Sequence, residues 1–204
     1  PAIINYLALL GWSPETNQEI FTLNELVEVF NVKRINKAPA IFDIKKLQWI
    51  NNHYIRQMEL NDLYAFLLPY LEKKYDFGNK SEDWVKTLVS IYQEQLSHGA
   101  EIIELVDLFF KEDLDINDEG KEIINSEAAI EVLKVFEIGI KDMNDWTVDN
   151  IVDVINNTKN ISGVKGKQLF MPIRVKISGQ MQGPELPRTI YLIGKEMVLN
   201  RLSK

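Results

Sequence analysis

"SEDWVKTLVSIYQEQLSH", residues 81–98, decides the fold class. At about 100° per residue its apolar side chains Trp84, Val85, Leu88, Val89, Ile91, Tyr92 and Leu96 share one arc. Ser81 stands where a helix N-cap belongs. One polar residue breaks the arc: Gln95 falls about 20° from Trp84 at that helical period. Inside an apolar stripe, it reads as a buried amide satisfied by backbone groups.

The same period recurs along the chain and predicts helices near residues 43–56, 60–75, 81–98, 100–110, 126–138, 147–156, 169–177 and 194–202. Thr22 and Glu25 have capping-box spacing, Asp43 is a further N-cap, Pro69 is placed to kink one helix, and Pro172 to start or kink another. "PAIINYLALLG" at 1–11 reads as a helix with Pro in its first turn and Gly11 at its stop. That helix has nothing upstream to pack against, so the chain is expected to be the C-terminal piece of a longer protein. No stretch alternates as a half-buried strand does, so the expected class is all-α, with polar joints at 59–62, 76–83 and 111–122.

Length and composition allow one large domain or two to three small ones: 204 residues, 46% of them hydrophobic. With no Cys, disulfides, thiol catalysis and thiolate zinc sites are excluded. Apolar runs such as "YLALLGW" at 6–12 fall far short of the roughly 20 residues that cross a bilayer, so a cytoplasmic protein is expected, with no membrane partner.

Charge is distributed unevenly. The formal net is -7, made of -2 over residues 1–100, -12 over 101–158 and +7 over 159–204. A uniformly solvated surface does not produce such an asymmetry. A basic, acid-poor end with Gly and aromatic residues suits a polyanion, because Lys and Arg displace phosphate counterions while Arg and Asn or Gln read base edges. Its alternative is a basic face docked on the acidic segment, and charge alone does not separate the two.

Catalytic and metal chemistry is hard to find. His53 and His98 lie apart without a His partner at helical spacing, and no nucleoside-triphosphate loop or nucleophile elbow is present. "GVKGK" at 163–167 is too short to cradle a triphosphate, though a basic Gly loop can touch one phosphate. Asp115, Asn117, Glu119 and Gly120 fall at positions one, three, five and six of an EF-hand loop, but the bidentate Glu position holds Ser126. The segment therefore reads as a solvated linker, with no catalytic, cofactor or metal residues.

A resemblance adds to this reading. "PAIINYLALLGWSPE", "EIFTLNELVEVF", "APAIFDIKKLQWINNHYIR", "LFFKED", "GVKGKQLFMPIRVKISG", "GPEL" and "LIGKEMVLNRL", in that order, resemble the part of bacterial glutamyl-tRNA synthetases that follows the catalytic lysine loop. The resemblance covers nearly the whole chain. It implies a class I synthetase that uses ATP and Mg to join glutamate to tRNA, with the HIGH-type and KMSKS-type motifs absent here, so the chain alone is expected to be inactive. It divides the chain into the end of a stem-contact domain (1–58) and two helical anticodon-binding subdomains (59–117 and 118–204).

The implied partners are tRNA-Glu and, by one residue, tRNA-Gln. No DNA partner and a monomeric state are expected. In the family an Arg in the stretch matching "MPIR" reads the first anticodon base, which places that role on Arg174; from charge and position alone Arg174 reads as a surface ion pair. Gln180, Gly183, Pro184 and Leu186 align with the loop at neighbouring nucleotides, and Gly183 permits close approach of backbone to a splayed base. Lys167, and Lys45 and Lys46 at a helix start, are expected on phosphates. Trp49, Asn51 and Tyr54 also match the family, but an aromatic stripe at helical spacing reads first as core. Gln95 aligns with the position where synthetases that reject tRNA-Gln carry an Arg reading the third anticodon base. A second function class, an acidic all-α protein-interaction module, rests on the 101–158 segment alone.

Overall fold

The computed structural model describes residues 1–36 and 39–204; Ala38, which opens one of the family-like stretches, lies outside them. Among the described residues there are twelve α-helices joined by turns and 3-10 segments, and the only β feature is an isolated bridge between Trp12 and Ile35. The all-α expectation holds. The helices form two compact units, Pro1–Ile103 and Glu104–Lys204. None of the described helices is long and apolar enough to cross a membrane.

The first unit contains α1 (Ala2–Gly11), α2 (Leu23–Val29), α3 (Ile44–Arg56), α4 (Leu60–Leu71) and α5 (Glu82–Ser90), and α6 (Ile102–Leu105) straddles the boundary. Asn5 is fully buried on α1, and its amide is well satisfied. Its Nδ2 donates to the Glu19 carbonyl at 3.0 Å, and its Oδ1 accepts from the Phe21 amide at 2.9 Å and the Tyr54 hydroxyl at 3.2 Å. One side chain thus ties α1 to the segment before α2 and to α3. Ala2, Tyr6 and Ile50 pack beneath it, and Tyr6 Oη accepts from the Asp43 amide at 2.6 Å. The capping box at Thr22 and Glu25 forms in both directions.

Two helical expectations in this unit need correction. The stretch 81–98 is helical only as far as Ser90, and Ile91 to Gln95 form a turn instead. The apolar arc is real, since Val85, Leu88, Val89, Tyr92 and Leu96 are all buried, but the last two reach the core from non-helical backbone. Residues 100–110 are likewise broken, into a 3-10 segment at Gly99–Glu101, the short α6 and another 3-10 segment at Asp107–Phe109. Gly99 explains the first break: a Cβ there would stand 2.6 Å from the Tyr70 ring, so the chain can lie against α4 only without one. Pro69 sits inside α4, where it and Ala65, whose carbonyl it deprives of a partner, are both exposed to water.

The second unit contains α7 (Asp118–Ile124), α8 (Glu127–Asp142), α9 (Val148–Ser162), α10 (Lys167–Ser178), α11 (Leu186–Ile193) and α12 (Lys195–Ser203). α8 and α9 form an antiparallel pair that closes at Gly139, where an added Cβ would lie 2.7 Å from a Val154 methyl. α10 runs against α7, α8 and α12. The segment expected to be a solvated linker is helical from Asp118, with Asn117 accepting from the Gly120 amide at 2.8 Å. Gly120 is buried within that helix, so the sharp turn of a calcium loop does not form. α11 was not anticipated, although Pro187 in its first turn and Gly194 after it are ordinary boundary signals.

Arg201 on α12 holds this unit together from inside. It is 3% exposed, and it donates to the carbonyls of Ile177, Leu108 and Lys111, each at 2.6 Å. Burial pushes its guanidinium down to about 10 from the ordinary 12.5, so it stays charged at neutral pH. A planar fork of donors can serve three carbonyls at once, and an ammonium on a flexible stem cannot. Arg201→Lys should therefore leave buried carbonyls unsatisfied and destabilise the second unit by about 3 kcal/mol. Native-state hydrogen exchange should show this as weaker protection of the α10 and α12 amides, with those of α3 and α4 unaffected.

Candidate nucleic-acid interface

α10 buries most of its circumference. Leu169, Pro172, Ile173, Val175, Ile177 and Ser178 are all interior, which leaves a narrow strip in contact with water. At helical spacing Lys167, Phe170, Met171 and Arg174 line that strip, with exposed Gln168 and half-buried Lys176 beside it. Lys167 is exposed at the helix start, Phe170 is 45% exposed, and Arg174 is half-buried one turn beyond.

The helix stops at Gly179, whose left-handed backbone (φ 70°) turns the chain back along the same side. Ser178 Oγ accepts from the Gln180 amide at 3.2 Å and steadies that turn. Gly183 follows with φ 158°, and the point where a Cβ would be is 3.1 Å from Arg174 Nη1 and 3.4 Å from Gln180 Oε1. Arg174 Nη2 donates to the Pro184 carbonyl at 2.9 Å. The guanidinium is thereby aligned on the backbone of the "GPEL" loop. One bond that orients it runs to a main-chain carbonyl.

Arg174, Gln180, Gly183 and Pro184 are thus brought together. Leu186 is different: at 4% exposure it packs under the loop as the first residue of α11, so its side chain supports the loop and faces no ligand. Lys167 borders a groove that also holds Glu119 and Glu122 of α7, which weakens the positive potential around it.

Part of the basic excess serves the fold. Arg201 is interior, Lys195 Nζ donates to the Lys141 and Met143 carbonyls at the end of α8, and Lys204 pairs with Asp113. Arg188 sits 3.4 Å from Glu185. Lys165, Lys167 and Arg174 remain at the surface around the loop and the start of α10.

In the first unit Gln95 is exposed, on the turn after α5. The buried-amide reading fails for Gln95 and applies instead to its neighbour Gln93, whose Nε2 donates to the Ile55 and Met58 carbonyls at 2.9 Å. Two more amides pin the same turn: Asn51 donates to the Ser97 carbonyl at 2.6 Å, and Asn52 to those of Glu94 and Leu96 at 3.1 and 2.8 Å. Glu101 closes it from the other side, accepting from Ser97 N and Oγ at 2.6 Å and from His98 N at 3.2 Å. The adjacent amides of Asn51 and Asn52 were the sequence signal for this anchoring, which periodicity alone did not reveal.

Lys45 and Lys46 stand in the first turn of α3, where the Asp43 carboxylate caps both their amides at 2.9 and 3.1 Å. Lys46 is already paired with Glu19 at 2.5 Å, and Lys45 is fully exposed. On the same helix the aromatic stripe divides: Tyr54 is structural, donating to the Phe21 carbonyl at 2.5 Å, whereas Trp49 is 50% exposed, which departs from its reading as core.

Comparison with known proteins agrees with this geometry. Residues 62–204 match the family described as "Anticodon binding domain", and residues 1–49 match "tRNA synthetases class I (E and Q), catalytic domain". The chain belongs to the anticodon binding domain family. It is 44% identical over 205 residues to the glutamate–tRNA ligase of Bacillus subtilis (strain 168) and 47% identical over 205 residues to that of Halalkalibacterium halodurans, covering 98% of this chain in each case. It spans only 42% of the length of those relatives. Among solved structures it is similar to the glutamate–tRNA synthetase of Elizabethkingia anophelis, with a TM-score of 0.86 and 25% identity over 99% of this chain and 39% of that one. The fold is shared with the Elizabethkingia meningosepticum glutamate tRNA ligase at the same TM-score of 0.86, 24% identity, and 99% and 40% coverage.

Within this anticodon-binding fold the Gln95 turn carries a pH signature. Burial raises the Glu101 carboxyl, but hydrogen bonds from Ser97 and His98 more than offset this and hold it below its ordinary 4.5. A lowered acid contributes stability that is fully present above that ordinary value and is lost as pH falls through the folded one. Glu101→Gln should therefore cost the first unit roughly 1 kcal/mol at neutral pH. Urea unfolding at a series of pH values should show the gap from wild type closing as pH falls below 4.5.

Proposed function

We propose that the chain is the tRNA-recognition part of a glutamate–tRNA ligase, holding the anticodon arm while a separate catalytic region joins glutamate to the 3' end with ATP and Mg. The observation that carries this reading is the Arg174 guanidinium, aligned by the Pro184 carbonyl beside a glycine whose missing side chain leaves room for that guanidinium. Arg presents a planar donor fork suited to a base edge, and a splayed anticodon nucleotide offers such an edge. In this reading Arg174 takes the first anticodon base. Gln180, Gly183 and Pro184 follow the neighbouring nucleotides, and Lys167 and Lys45 meet phosphates, with Lys46 joining them on release from Glu19.

The division into a stem-contact end at 1–58 and anticodon-binding subdomains at 59–117 and 118–204 belongs to the same proposal. So do a cytoplasmic, monomeric protein and the inactivity of this chain without its catalytic region. The finer proposal concerns Gln95. Its amide carries both a donor and an acceptor, so it tolerates either cytosine or guanine at the third anticodon position, where a fixed Arg discriminates. The parent enzyme then charges tRNA-Gln as well as tRNA-Glu. Support comes from the exposure of Gln95 on a turn held by Asn51, Asn52, Gln93 and Glu101.

Two measurements test these readings separately. Arg174→Ala should weaken binding of the chain to a tRNA-Glu anticodon arm by about 1–3 kcal/mol, with helix content unchanged and the remaining affinity falling steeply with salt. An unchanged dissociation constant at moderate salt overturns the role of Arg174. For Gln95, the full-length parent should misacylate tRNA-Gln and its Gln95→Arg variant should not; equal misacylation by both, or none by the wild type, rejects a non-discriminating enzyme.

A further inference from the structure

The second unit carries a groove of about 580 Å³ on the α8–α9 pair, lined by residues other than those of the α10 strip and its loop. Its floor is apolar, formed by the half-buried Val135 and Val154, with Gly139 letting the two helices close beneath it. Ile138 and Ile161 are 52% and 70% exposed, so two large branched side chains stand in water at its edges. At the other end the lining turns acidic: Asp142, Asp145 and Asp153 are all exposed there, and no Lys or Arg is among the lining residues. Lys141 is paired with Glu137 at 2.6 Å and Lys195 is held on the α8 backbone, while exposed Lys134 and Lys159 neighbour Val135 and Thr158 in sequence, outside the lining.

The groove follows α8 from Val135 to Asp142, about 10 Å at helical rise, which is two turns of an opposing helix. Its charge repels a polyanion, in keeping with a segment (101–158) of net -12. Apolar burial with an acidic rim complements one ligand chemistry, an amphipathic helix whose leucine-type anchors at i, i+3 or i+4, and i+7 are followed by Lys or Arg. We infer that the α8–α9 groove is a docking surface for a basic amphipathic helix of a partner protein, separate from the tRNA-recognition face. The exposed isoleucines supply the affinity and the three aspartates set the orientation, since opposite charge must meet Asp142, Asp145 and Asp153 for the anchors to reach Ile138.

The test uses the 204-residue chain and two labelled helical peptides with identical leucine anchors, one flanked by lysines and one by glutamates. Fluorescence anisotropy should show saturable binding of the lysine peptide that weakens as salt rises, and none of the glutamate peptide. Hydrogen exchange should place the added protection on α8 and α9. Asp142→Lys combined with Asp153→Lys, and separately Ile138→Ser, should each weaken binding at least tenfold; these side chains are exposed, so thermal melts should match wild type. Equal binding of the two peptides, protection elsewhere, or unchanged affinity in both variants overturns the proposal. Concentration-dependent self-association abolished by Ile138→Ser also overturns it, because the occupant is then a second copy of this chain.

Discussion

What the loop after α10 offers to a ligand depends on a buried positive charge. Arg201 joins the C-terminal end of α10 to Leu108 and Lys111 through backbone carbonyls alone. Carbonyl dipoles offset part of the cost of burying a cation, although Nε is left without a partner, and burial holds the guanidinium below its ordinary pKa. Because Ile177 is one of the three acceptors, the guanidinium fixes where α10 ends, and that ending fixes the Gly179 turn. The loop from Gln180 to Pro184 therefore inherits its position from a residue that touches none of it.

The first unit meets the same requirement with neutral groups. Asn5, Asn51, Asn52 and Gln93 each bridge elements distant in sequence by bonding to main-chain groups. An amide brings both donor and acceptor at a smaller desolvation cost than an ion. Gln93 also donates to the Ile55 carbonyl at the end of α3 and to that of Met58 beyond it, so one side chain ties a helix end to a turn. Both units thus hold irregular backbone rigid by side-chain bonds to carbonyls.

The sequence was legible where periodicity and capping act locally. The helix after Ser81 starts where its cap residue predicted, those expected from 126 and 147 start within a residue of the apolar period, and the all-α class follows from that period. Their ends were less legible, because the turn that follows α5 is held by long-range bonds, from the Asn52 amide of α3 and from Gln93 to the Ile55 carbonyl. Gln95 shows the consequence: its place in an apolar arc was correct arithmetic on a helix that had already ended. α7 was hidden by its acidity, although Asp118 and Glu119 in a first turn favour a helix by interaction with its dipole. At the candidate interface, alignment with the family brought Arg174, Gln180, Gly183 and Pro184 to one place, but only the structure separates Leu186, which is buried, from the residues around it.

The turn that bears Gln95 has a further property. Its bonds run through the carbonyls of Glu94, Leu96 and Ser97, which accept from Asn51 and Asn52, and through the Gln93 amide, which donates to the Ile55 and Met58 carbonyls, none of them through the side chain of residue 95. Replacement at that one codon leaves the scaffold intact, so the side chain shown to a partner can drift without a stability threshold standing in the way. On the reading proposed for Gln95, a lineage changes what it decodes there by a single step, in either direction, without disturbing the bonds that hold the turn.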